Sequence, residues 1–235
     1  VDSDSDKSEP CHISMPSGFE PGKIYQLVYE TRNSSIVGLG LLAIRDTASF
    51  LKYATSETGN PCGGNIDYVH AFGRSQSGRF LRQYIHLGLN EDEKGRKALD
   101  GIISHVAGGN RGEFNLRFGQ PSKDICFLSP ELFPFTDTEQ TDPITDSRGS
   151  MLARLEKQGD VPKIMFINTS SEYWRGDAAL IHTNLESMSD ADQSESVRRY
   201  HFAGTSHGSG VLPPPMVNTN EEICGQLPHN SVDYN

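Results

Sequence analysis

The chain has 235 residues, with 21 Lys and Arg against 31 Asp and Glu, which leaves a formal charge of −10 at neutral pH. That acidic excess excludes nucleic acid and anionic membrane surfaces as partners, because polyphosphates need a clustered positive surface. The 35 % hydrophobic content with 11 Phe, 8 Tyr and 23 Gly fits a globular chain of one domain, and no stretch approaches the roughly 18 apolar residues that cross a bilayer.

Residues 1–14 are polar and read as a disordered or extended segment, 15–225 as the folded core, and 226–235 as a polar tail. No basic region followed by an apolar run opens the chain, so no signal peptide is read. Within the core, residues 23–29 (KIYQLVY) follow the turn former Pro21-Gly22 and predict a strand. Residues 41–53 place apolar side chains at helical spacing, and Asn60-Pro61 breaks that helix. A strand is predicted at 66–72, a Gly/Ser turn at 73–78, a helix at 79–87 and a buried strand at 99–107. From 108 to 149 periodicity is lost over a stretch too long for a connection, which predicts a cap or lid. Helices at 151–158 and 178–186 then alternate with strands at 163–168 and 197–203. This alternation predicts an α/β fold: βαβ units, a mostly parallel sheet and helices on both faces.

The four cysteines, Cys11, Cys62, Cys126 and Cys224, form no C-x-x-C pair, so a structural zinc site is not expected. Their disulfide state is left open, as is the compartment, with a secreted or periplasmic setting preferred to the cytoplasm. Two glycosylation triplets occur, at Asn33 and Asn168.

The sharpest chemical signal is His70-Ala71-Phe72-Gly73-Arg74-Ser75-Gln76-Ser77-Gly78, placed where a strand becomes a helix. A nucleophile elbow forces its central residue into strained backbone, so only small residues fit two positions either side; Gly73 and Ser77 stand there around Ser75. Ser77 has Arg79 on one side and is the poorer candidate. A turn that merely caps the next helix at Ser75 is the bland alternative. A serine nucleophile needs a base and an acid on later strand ends. His207 lies in the Gly-rich run Gly204 to Gly210 after the last strand, where a base belongs, whereas His70, His105 and His201 do not. After the strand at 163–168 two carboxylates compete for the acid, with Glu172 preferred and Asp177 the alternative that could instead cap a helix. The backbone N–H of Gln76 is the expected oxyanion donor.

In the predicted lid, Phe114, Phe118, Phe127, Phe133 and Phe135 could line an acyl pocket, with Arg111 and Arg117 binding a substrate carboxylate. The alternative makes them the loop's own core and salt bridges.

The segments GFEPGKIYQLVYETRN, GLGLLAIRDTASFLKY, HAFGRSQSGRFLRQYIHLGLN, NRGEFNLRFGQPS, LFPFTD and NTSSEYWRGDAALIHT together resemble a group of large α/β-hydrolase-domain proteins, mostly bacterial. The likeness runs from Met15 to about Gly210. It implies an α/β-hydrolase fold and carries Ser75, Glu172 and His207 at the matching motif positions, without implying a substrate. Set against that fold, the early strands are expected upstream, together with a companion polypeptide or upstream segment that completes the sheet and supplies the second oxyanion donor.

The leading functional expectation is a serine esterase acting on a small-molecule ester through an acyl-enzyme, without metal or organic cofactor. Acyl transfer or amide cleavage by the same triad, and a non-catalytic binding module on the same fold, are the alternatives.

Overall fold

A computed structural model of the chain describes residues 13–23, 25, 30, 32, 38–112, 114 and 133–208. Two units separate, Val1–Ile36 and Val37–Asn235. In the first, the Gly18 amide donates to the Met15 carbonyl at 2.8 Å, and Phe19 meets Tyr25 edge to face at 5.1 Å. The strand expected at 23–29 lies mostly outside the described residues.

The second unit opens with helix α1 (Leu39–Tyr53), which buries Leu41 and Ala48. Asn60 stops it by a side chain: its Nδ2 donates to the carbonyls of Phe50, Leu51 and Ala54 at 3.1, 2.9 and 2.8 Å, groups the helix end leaves without partners. Strand β1 (His70–Arg74) starts four residues later than the pattern predicts. Just before it the Val69 carbonyl still accepts the Asp100 amide at 2.8 Å, but the Val69 amide turns to the Asp100 carboxylate at 2.8 Å, so a side chain replaces a strand carbonyl at that point. Helix α2 (Gln76–Leu87) follows directly and ends on left-handed Gly88. Strand β2 (Gly101–His105) comes next, then a two-residue antiparallel pair, β3 (Gln140–Thr141) with β4 (Arg148–Gly149).

Helix α3 (Ala153–Gln158), strand β5 (Lys163–Thr169), helix α4 (Ser170–Arg175) and strand β6 (Val197–Phe202) complete the unit. The helix predicted at 178–186 is corrected: only a 3-10 turn, Ala178–Ile181, forms there. Asp177 enters it in left-handed backbone, and the Asn184 side chain accepts the Glu186 and Ser187 amides at 2.9 and 3.0 Å, which bends the chain away. The helix instead sits immediately after β5.

The sheet has the order β1-β2-β5-β6 with every pair parallel. Ile102, Ile164, Phe166 and Val197 point to one face and join Leu41, Leu81, Tyr84, Ile85 and Leu155 in a single core. The opposite face carries Phe72 and Met165 at 65 % and 40 % exposed, so the helices of the described residues cover one side of the sheet. No helix among the described residues is long and apolar enough to cross a membrane.

Candidate active site

The site is assembled where three strand ends meet. β1 runs into Ser75, whose backbone lies at φ 55 and ψ −117, a region that L-residues rarely adopt. The strain is held by the surroundings, because the Ser75 amide donates to the His105 carbonyl at 2.8 Å and so ties the turn to the end of β2. The turn is also too tight for side chains: a Cβ on Gly73 would lie 2.4 Å from the Ser77 carbonyl oxygen. Gln76 opens α2, so its amide stands at the positive end of that helix, next in sequence to Ser75.

At the end of β5, Thr169 caps α4 and Glu172 occupies the third helical position, the two forming a capping box. Glu172 Oε2 accepts both the Thr169 amide at 2.7 Å and the Thr169 hydroxyl at 2.6 Å. Its other oxygen, Oε1, lies 2.6 Å from His207 Nδ1. A carboxylate can only accept, so Nδ1 carries the proton and Nε2 is left as an acceptor. That Nε2 is 2.9 Å from Ser75 Oγ. Glu172 is 3 % exposed and His207 is half-buried, which sets an interior carboxylate behind an imidazole that reaches the surface.

The structure thus brings Ser75, Glu172 and His207 into one hydrogen-bonded line across 132 residues of sequence. Asp177 stands elsewhere: its Oδ2 accepts from Asn110 Nδ2 at 2.9 Å. Ser77 sits inside the first turn of α2, and His201 stacks on Tyr173 with ring centroids 4.4 Å apart. Sequence reasoning missed Thr169 and α4 itself, although the Thr-x-x-Glu spacing of a capping box was there to be read.

Asn168, at 2 % exposure, accepts the Gly108 amide at 2.9 Å, so its glycosylation triplet is interior. Among the four cysteines only Cys62 falls within the described residues, and it is a free thiol. Asn33, Arg117, Phe118 and Phe127 lie outside the described residues.

Arg111 is 5 % exposed and points inward, Nη1 donating to Gln83 Oε1 at 2.7 Å and Nη2 to the Phe133 carbonyl at 2.8 Å. Arg82, fully buried one turn before His86, donates Nη2 to the Gly109 and Phe135 carbonyls at 2.8 and 2.7 Å and lies over the Phe166 ring. These two guanidinium groups bind both ends of the stretch that leaves β2 to helix α2. Phe114 packs edge-on against Phe80 at 5.6 Å, and Phe133 against Phe135 at 6.0 Å. Burial, with the charge of Arg154 nearby, lowers Arg111 to about 10, and burial together with Arg111 lowers Arg82 to about 9, so both stay protonated at neutral pH. Burial and the same arginines push His86 down to about 3, which keeps it neutral. Arg111→Ala is therefore expected to destabilise the fold by about 2–3 kcal/mol by leaving buried acceptors unpaired. On the expectation of an ester substrate, KM should change equally for acidic and neutral esters. Urea unfolding and a paired substrate series check this; a selective loss on acidic esters would make Arg111 a substrate ligand.

No group of three His, Cys, Asp or Glu side chains among the described residues is placed to hold a metal ion. A parallel sheet whose strand end turns sharply through a strained serine into a helix is the architecture of the α/β-hydrolase class. The family model for the alpha/beta hydrolase domain matches residues 8–232, and the chain belongs to that family. Its class of activity is hydrolysis. A search of curated proteins and a search of solved structures found no match.

Proposed function

We propose that the protein is a serine hydrolase of carboxylic esters that works through an acyl-enzyme. The observation that carries this reading is the continuous line from Ser75 Oγ to His207 Nε2 at 2.9 Å and from His207 Nδ1 to Glu172 Oε1 at 2.6 Å. Ser75 Oγ attacks the ester carbonyl carbon while Nε2 takes its proton, and the buried carboxylate of Glu172 stabilises the imidazolium that forms. The Gln76 amide at the head of α2 stabilises the oxyanion. Collapse of the tetrahedral intermediate breaks the bond to the alcohol, which leaves with the proton from Nε2. Water activated by the same nitrogen then hydrolyses the acyl-Ser75 ester and returns the serine.

A serine alkoxide displaces alcohols more readily than amines, and an ester therefore asks least of this site. The test is a fluorophosphonate probe followed by peptide mapping, with p-nitrophenyl esters and p-nitroanilides as a substrate panel. Labelling on Ser75 and turnover of esters well ahead of anilides are expected. Folded protein that takes no label at Ser75 would reduce the chain to a binding module on a hydrolase fold.

A further inference from the structure

His207 sits in Gly204-Thr205-Ser206-His207-Gly208, a stretch without helix or strand that starts on a glycine at φ 75. Such a segment has many accessible conformations, and placing an imidazole to within a few tenths of an ångström costs conformational entropy. Thr205 Oγ1 donates to the Phe202 carbonyl at 2.8 Å and Ser206 Oγ to the Gly208 carbonyl at 3.2 Å, whereas the His207 backbone itself is held by other elements. The His207 amide donates to Ser171 Oγ at 3.0 Å, and the His207 carbonyl accepts from Arg74 Nη2 at 2.8 Å. Both backbone polar groups of the one residue are therefore held by side chains of two other elements, α4 and β1. The loop entrance is fixed as well, by the Gly204 amide donating to Ser170 Oγ at 2.8 Å.

We propose that Arg74 and Ser171 are positioning residues that fix the His207 backbone, so that its ring has little freedom left beyond its own two side-chain torsions. The proposal rests on the Ser75–His207–Glu172 reading above. Two features of placement support it. Arg74 is the residue immediately before Ser75, so one exposed side chain links the elbow to the histidine loop and couples their positions. Thr169, Ser170, Ser171 and Glu172 are consecutive, and every one of their side chains is used: Thr169 on Glu172, Ser170 on Gly204, Ser171 on the His207 amide, and Glu172 on the ring. The first turn of α4 thus sets the acid and the base together. A misplacement of about 1 Å at such a base lowers turnover by up to about a hundredfold without altering how substrate binds.

The experiment uses the full chain with Ser171→Ala, Ser171→Thr, Arg74→Gln, Arg74→Lys and the double Ser171→Ala/Arg74→Gln variant, beside wild type and Ser75→Ala. Two signals are read: the low-field proton resonance of His207 Nδ1, which needs no turnover, and kcat and KM on p-nitrophenyl acetate. Each single truncation is expected to lower kcat about 5- to 20-fold with KM within about twofold, and the double variant about a hundredfold or more. Ser171→Thr restores the hydroxyl and should return kcat to within about threefold of wild type. The Nδ1 resonance should broaden or vanish in the double variant and persist in Ser75→Ala. Wild-type kcat together with an unchanged resonance in the truncations overturns the proposal, as does a loss confined to KM. If wild type and Ser75→Ala prove equally inactive, the esterase reading fails, and the resonance alone decides whether the backbone grip exists. If the double variant does not fold, the single variants decide.

Discussion

Ser75→Ala is expected to lower kcat/KM on p-nitrophenyl esters by at least about a thousandfold and to abolish fluorophosphonate labelling, with folding unaffected. The hydroxyl stands at the head of the hydrogen-bonded line and contributes one contact, to His207 Nε2, so its removal takes away the proposed nucleophile and little packing. The backbone at this position, φ 55 with serine, is expected to keep that conformation in the alanine variant. Ser75→Gly should be equally inactive yet melt about 2–4 °C higher, since glycine adopts that region without the strain of a Cβ. The pair separates chemistry from conformation. Retained activity in Ser75→Ala with loss in Ser77→Ala would transfer the nucleophile to Ser77.

Glu172→Gln should cost about a hundred- to ten-thousandfold in kcat, whereas Asp177→Asn should stay within about twofold of wild type. The physical reason is the direction of the protons. Thr169 presents two donors to Glu172 Oε2, an amide and a hydroxyl, so a glutamine at 172 places its oxygen there and its NH2 group toward His207 Nδ1. Nδ1 must then accept, the ring proton moves to Nε2, and Nε2 can no longer take the proton of Ser75. Asp177 engages Asn110 instead, and an asparagine there preserves one hydrogen bond after a rotation of its amide. His207→Ala should match Ser75→Ala in severity, because the members of such a line act as a unit. Activity that survives Glu172→Gln and fails in Asp177→Asn would reassign the acid.

Much of this architecture is legible along the chain. Alternating apolar runs of strand and helix length place β2, β5, β6, α1 and α2 to within a few residues, because each is set by burial of its own side chains. The misplaced elements have two kinds of cause. The start of β1 depends on a residue distant in sequence, Asp100, whose carboxylate takes the Val69 amide. The predicted helix at 178–186 shrinks to a 3-10 turn, and α4 forms earlier, through local side-chain hydrogen bonds that hydrophobic periodicity does not register: Asn184 accepts the Glu186 and Ser187 amides, and Thr169 and Glu172 cap each other.

What the sequence by itself determined is the class of fold and the strand-to-helix turn around Ser75: hydrophobic periodicity and the small residues Gly73 and Ser77 are local properties, readable without knowing what lies nearby. Only the tertiary structure decided which carboxylate meets His207 and which side chains hold it there. Glu172 and Asp177 are five positions apart and equally acidic on paper; what distinguishes them is that the first turn of α4 aims Glu172 at the end of β6, while left-handed backbone at Asp177 aims its carboxylate at Asn110. Arg111 reads along the chain as a lid residue that binds a substrate carboxylate or makes the loop's own salt bridges, and it proves interior with its guanidinium on Gln83, because burial is a property of what folds over a residue and not of the residue itself.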